Sequence, residues 1–186
     1  FGAISVLMPP GRYMVKLTVD GQSQSQPVVV RKDPNLLATD ADIRASVAAQ
    51  LQIQAQMVAL GDWVGQMEAV RVQVQQLTAT LVTDRPNADL RPAVDSLGHK
   101  FTDLEREVVD LRQTGQGQDG VRWPTQTAGQ LGYLNGNLAA SADAPPNAPQ
   151  REVYTILDKE AKATKAALDL LIQKDLKALK IGRAHV

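Results

Sequence analysis

Catalysis or metal binding needs acid–base groups, nucleophiles or ligands brought within reach of one another, and few residue types here can serve. The chain has two histidines, His99 and His185, and no cysteine. There can be no disulfide framework, thiolate metal site or cysteine nucleophile. Asp95 and Asp103 lie four residues to either side of His99, a helical spacing that puts all three on one face. His99 with a neighbouring carboxylate could make a metal pair, but two ligands on a solvated face do not close a metal site. Glu105 and Glu107 are the nearest thing to a carboxylate pair. Glycoside hydrolysis needs two acids across a cleft with one of them buried, and residues two apart point to differing sides of a helix. No catalytic residue, cofactor site or metal site is assigned.

Two glycine motifs match known patterns by letter. Gly115-Gln-Gly117-Gln-Asp-Gly120 fits G-x-G-x-x-G, but a dinucleotide fingerprint needs a strand before it and a helix opening on its last glycine. A helical pattern precedes it and Val121-Arg-Trp-Pro124 follows, so a loop is expected. Gly61-Asp-Trp-Val-Gly65 fits the membrane-dimer motif G-x-x-x-G, with an aspartate inside it. Close packing of water-soluble helices is the better reading.

The two tryptophans, Trp63 and Trp123, are the largest apolar groups. Trp123, between Arg122 and Pro124 in a long connection, is read as an anchor folding that connection back onto the rest of the molecule; a ligand stacker is the alternative.

Any such residues must be positioned by elements, and the hydrophobic period changes once along the chain. Tyr13, Val15, Leu17 and Val19 alternate with Met14, Lys16 and Thr18, the period of a half-buried strand. Asp20-Gly21 is a hairpin turn signal, and a second arm, 22–30, ends at Arg31-Lys32-Asp33-Pro34, where proline blocks continuation. A lone hairpin is marginal in water. Residues 1–35 are therefore expected to be the last two strands of a β-sandwich whose other strands lie upstream of Phe1.

After Leu36 the period is helical. Thr39 or Asp40 can cap a helix with Asp42 in its first turn. Ile53, Met57, Leu60, Val64, Met67, Val74, Leu77 and Leu81 form a heptad seam, with Val70 and Arg71 sharing one step. The spacing predicts one helix over Asp40 to Val82 or two helices broken near Gly61. A second helix carries Val94, Leu97, Phe101, Leu104, Val108 and Leu111, with Pro92 in its first turn and Gly115 past its end. A shorter one is expected near Ala128 to Ala140 with Leu131, Leu134 and Leu138 on one side. A proline-rich turn, Ser141 to Pro149, leads to a last helix from Glu152 to about Leu179, with Tyr154, Leu157, Ala161, Leu168, Leu171, Leu176 and Leu179 inward. The fold class is mainly α: an antiparallel bundle of three long helices and one shorter one, preceded by the hairpin.

Composition agrees and narrows the function classes. Aromatic residues make up 4% of 186 residues and hydrophobic residues 44%, which suits a helical bundle and argues against an all-β domain or an aromatic-lined sugar cleft. Twenty basic residues balance twenty acidic ones, so no net field draws the chain to nucleic acid or to an anionic membrane. No apolar run approaches the ~20 residues of a spanning helix. Residues 84–120 carry net charge minus three and 151–186 plus three by count, which predicts favourable packing between those regions. The opening residue is Phe1 rather than Met, so the start reads as a cut. The ending, Ile181-Gly-Arg-Ala-His-Val186, resembles a translated sequencing adapter, which makes 181–186 a non-native tail.

The stretch Pro10-Gly-Arg-Tyr-Met-Val-Lys-Leu-Thr-Val-Asp-Gly21, with Gln26-Pro27 and Asp33-Pro34, resembles the end of the immunoglobulin-like module in large secreted bacterial proteins with sortilin-like or BNR-repeat β-propellers, often labelled glycosyl hydrolases. The helical region is similar to theirs at Arg122-Trp-Pro124, at Ser141-Ala-Asp143 with Pro145, and at Glu152-Val153, but has Pro146-Asn147 where Pro-Thr is expected. The resemblance implies a secreted or periplasmic parent whose propeller, with any hydrolytic residues, lies outside this chain. It implies a non-catalytic structural or assembly module, 36–180, packing against the parent's own sandwich and propeller. The alternatives are a coiled-coil-like adaptor for a partner helix or for self-association, and part of a glycoside hydrolase. Tyr13, Asp20, Gly21, Trp63, Phe101, Trp123, Pro124, Asp143, Pro145 and Tyr154 are the expected structural anchors.

Overall fold

A computed structural model describes residues 4–83, 85–113, 122–141 and 143–179. The Gly115 to Gly120 motif, His185 and the 181–186 tail lie outside the described residues. Strands β1 (Gly11–Val19) and β2 (Gln22–Val30) form an antiparallel hairpin. Four helices follow: α1 (Asp40–Leu81), α2 (Arg91–Val108), α3 (Thr127–Ala139) and α4 (Ala148–Leu170), the last continuing into a π-helical turn, Leu171–Leu176. The chain is mainly helical, with three long helices and one shorter one packed together behind a two-stranded hairpin.

Asp20 (φ 50°) and Gly21 (φ 81°) both adopt left-handed backbone, the pair of conformations a two-residue type I′ turn requires. Register then sorts the side chains. Tyr13, Val15, Leu17 and Val19 stand opposite Val28, Gln26, Gln24 and Gln22 on one face, and Arg12, Met14, Lys16 and Thr18 opposite Val29, Pro27, Ser25 and Ser23 on the other. Apolar residues run along β1, while β2 contributes glutamines and serines up to Pro27 and closes with Val28, Val29 and Val30.

Thr39 caps α1 reciprocally with Asp42: the Asp42 amide donates to the Thr39 hydroxyl, and the Thr39 amide to the Asp42 carboxylate. The helix then runs 42 residues without a break, about 63 Å at ~1.5 Å per residue. Gly61 and Gly65 do not interrupt it, because tertiary packing on both sides of them, at Leu60 and Met67, outweighs the ~1 kcal/mol each glycine costs. Ile53, Leu60, Met67, Val74 and Leu81, seven residues apart, are all buried and pack with Val94, Phe101, Leu131, Leu138, Leu157 and Leu168 in one core.

Two helix ends differ from the sequence expectation. α2 stops at Val108 and Val109 is extended, so Leu111 lies in a turn where the Asp110 carboxylate accepts from the Arg112 amide. That local bond competes with continuation of the helix. α4 starts at Ala148, before Glu152, because Asn147 forms a capping box with Gln150.

Two fastenings hold the base of the hairpin. Gln54 Nε2 donates to the Ile4 carbonyl at 2.6 Å, and Lys32 Nζ donates to the carbonyls of Leu36 and Ala38.

Candidate functional site

Among the described residues, those with possible chemistry are distributed over the molecule and do not converge on a metal site. His99 is exposed on α2. Its helical neighbours are engaged elsewhere: Asp95 accepts from Thr78 of α1 and pairs with Arg91, and Asp103 pairs with Arg106. Among the described residues no group of three or more His, Asp or Glu could hold a metal ion. No described helix is long and apolar enough to cross a membrane.

Glu105 and Glu107 separate as helical spacing requires, with Glu107 exposed and Glu105 fully buried. Arg71 of α1 faces Glu105 across the α1–α2 contact, Nε to Oε2, at 3.5 Å, and neither carboxylate oxygen accepts a hydrogen bond. Burial pushes the Glu105 carboxyl above the usual carboxylate range; Arg71 opposes the shift and Glu68 adds to it. Glu105 is thus a buried carboxyl group whose oxygens have no hydrogen-bond partner. Its signal in the sequence was Arg71 on a heptad step, but its partner depends on the register between two helices, which no single-helix pattern carries.

The net charges of the two helical regions do not describe the ion pair that joins them. Lys100, from the acidic region, bonds Asp175, from the basic one. The remaining pairs of α4, Lys162 with Asp158 and Lys165 with Asp169, lie within one helix.

The anchor residues fall into four places. Phe101 is fully buried and Trp63 packs half-buried against the same core. Trp123 lies beneath the Arg112 guanidinium, 3.9 Å from its ring centroid, and its carbonyl faces Gln113 Nε2 at 3.5 Å. It therefore clasps the turn after α2, with Pro124 exposed beside it. Arg112 in turn donates to Asp110 through its side chain, which holds that carboxyl at about 2, well below the ordinary range. Asp143 takes left-handed backbone (φ 62°) in the α3–α4 turn. Pro145 and Tyr154 line a groove of about 460 Å³ with Ala45, Ala49 and Leu138. Tyr154 has its hydroxyl pKa raised chiefly by burial, with Asp158 adding to the shift and Lys162 opposing it.

Tyr13, Asp20 and Gly21 form the fourth place. The Tyr13 hydroxyl donates to the Pro9 carbonyl at 2.7 Å, and its ring lies so close over Gly11 that a Cβ there would sit 3.2 Å from the phenol oxygen. A tyrosine near the start of a strand, bonded back to backbone a few residues upstream, makes the same kind of bond as the tyrosine corner of immunoglobulin-like sandwiches. The apolar side chains beyond it are open to solvent, Leu17 at 65% and Val15 at 57%. Comparison with models of known protein families, with curated proteins and with solved structures finds no match to this chain.

Proposed function

We propose that the chain is a non-catalytic structural or assembly module, in which a helical bundle carries the closing hairpin of a β-sandwich belonging to a larger secreted β-propeller protein. One observation carries the reading: a tyrosine-corner-like bond opens a hairpin whose apolar face is exposed among the described residues. The distribution of residues favours β1 as an inner strand and β2 as an outer one. Gln22, Gln24 and Gln26 taper the apolar face, and Pro27 cannot donate to a further strand. A second layer would cover Tyr13, Val15, Leu17 and Val28, and a new strand would add along the free edge of β1. The groove beside Tyr154 is apolar and brings no acid–base pair together, in keeping with a packing role.

Hydrogen exchange tests this reading. The coding sequence preceding Phe1 would be recovered and the chain extended with the segment it encodes. Amides of 11–30 should then gain protection while those of α1 to α4 stay unchanged. Equal exchange of the hairpin with and without that segment would sink the proposal.

A further inference from the structure

Helix α3 holds two adjacent residues that its packing does not explain. Asn135 is buried, 8% exposed, on the helix that supplies Leu131, Leu134 and Leu138 to the core. Its side-chain oxygen nevertheless accepts no hydrogen bond, so it weakens the fold it sits in. Gly136 follows, and a Cβ there would meet nothing within 4 Å. No close approach demands a glycine at a position where helix propensity favours alanine. Residues that break local rules without a compensating contact are where a sequence carries chemistry instead of stability.

We propose that Asn135-Gly136 is a site of spontaneous backbone modification that opening of α3 exposes. Asn135 is the one asparagine of the chain followed by glycine: Asn35 and Asn137 precede leucine, and Asn87 and Asn147 precede alanine. The Gly136 amide nitrogen gives up its proton and attacks Asn135 Cγ. The Cγ–Nδ2 bond breaks, and ammonia leaves carrying that proton. Water then opens the five-membered imide at either carbonyl, leaving aspartate or an isoaspartate whose main chain runs through the side-chain carbon. Glycine suits the attacking position because it has no Cβ to hinder ring closure and rotates freely into the conformation required.

The closed helix withholds this reaction, because the Gly136 N–H is donated to the carbonyl four residues back. Release is easiest in α3. It is the shortest of the four helices, with Gly129, Gly132 and Gly136 inside it and no side-chain bond at its N-cap, whereas α1 and α4 each begin with a capping box. Neither product can re-enter the helix on the old terms. Aspartate places a charge where a buried amide was, and isoaspartate adds a main-chain carbon that breaks the hydrogen-bond spacing. A reversible opening thereby becomes permanent, and the site sets a lifetime for the fold.

The full chain would be incubated at mildly alkaline pH and followed by peptide mapping that separates asparagine, aspartate and isoaspartate. Product should form at Asn135 ahead of the other four asparagines, and more slowly in buffer than in urea that unfolds the chain. Below the unfolding transition the rate should rise only shallowly with urea, the mark of a local opening. Gly132→Ala strengthens α3 without touching the reacting atoms; it should slow the reaction in buffer roughly two- to fivefold and leave the rate in unfolding urea unchanged. Gly136→Ala should fold and yield no product at 135 in either condition. Asn135→Asp should melt several degrees below the wild type. Absence of product at 135 in urea or in the folded chain, equal rates in the two, or a rise with urea as steep as that of global unfolding would each overturn the proposal. So would a rate in buffer indifferent to Gly132→Ala, continued modification in Gly136→Ala, or an unchanged melt for Asn135→Asp.

Discussion

At Glu105 a carboxylate is held out of water with a guanidinium at 3.5 Å and no hydrogen bond to either oxygen. The arrangement is costly to break and cheap to replace. Arg71→Leu leaves an uncompensated buried charge and should destabilise the bundle by about 3–5 kcal/mol, while Arg71→Leu with Glu105→Leu should be neutral or stabilising by about 1–4 kcal/mol. Denaturant titration of the wild type, both single variants and the double variant measures the coupling. The pH dependence has a definite sign. Because burial raises the folded-state pKa of Glu105, the native chain binds protons more tightly there than the unfolded chain, so this group's contribution to stability falls as pH rises from the ordinary carboxyl value through the raised one. The Arg71→Leu defect should therefore shrink in acid. Asp110 acts oppositely: held at about 2 by Arg112, its contribution is present above the unfolded value and is lost as pH falls toward about 2. Since Arg112 also covers Trp123, Trp123→Ala should speed proteolysis in the 109–126 connection. An unchanged cleavage rate would remove the clasp.

Among the elements, two glycine positions separate packing from propensity. A Cβ at Gly98 would lie 2.8 Å from Val74 Cγ1 across the α1–α2 contact, whereas one at Gly132 meets nothing within 4 Å. Gly98→Ala should cost about 1–3 kcal/mol through overpacking, and Gly132→Ala should stabilise by about 0.5–1 kcal/mol through helix propensity alone. Thermal melts of the two variants should move in opposite directions. The helices were legible in the sequence because their inward residues recur at three and four: Val94, Leu97, Phe101, Leu104 and Val108 are all buried, as are Leu131, Leu134 and Leu138. What escaped that pattern was set by competing local bonds. The Asp110 turn ends α2 before Leu111, and Asn147 with Gln150 starts α4 ahead of Glu152. The π-helical turn at Leu171–Leu176 keeps Leu171, Ile172 and Leu176 packed against the core, and no 3.6-residue template anticipates it. Tyr13 was legible as an alternating strand residue, but its bond to Pro9 needed coordinates.

For the molecule as a whole, the core is built from α1 to α4, with Ile4 as the contribution from the N-terminal side of the hairpin. The helical region should therefore fold without residues 1–35. A fragment spanning 36–179 should unfold in one cooperative transition with the helicity of the parent chain; a broad, non-cooperative melt would show that the Ile4 and Gln54 fastening is required.

The unbroken course of α1 has a consequence for whatever the molecule joins. The base of the hairpin is fastened beside the N-terminal end of this helix by Lys32, and the far end at Leu81 is held in the core by α2. A 42-residue helix buttressed along one side would hold anything bound at its two ends about 63 Å apart. Energy transfer between dyes placed at positions 39 and 82 would report that spacing as one narrow distribution.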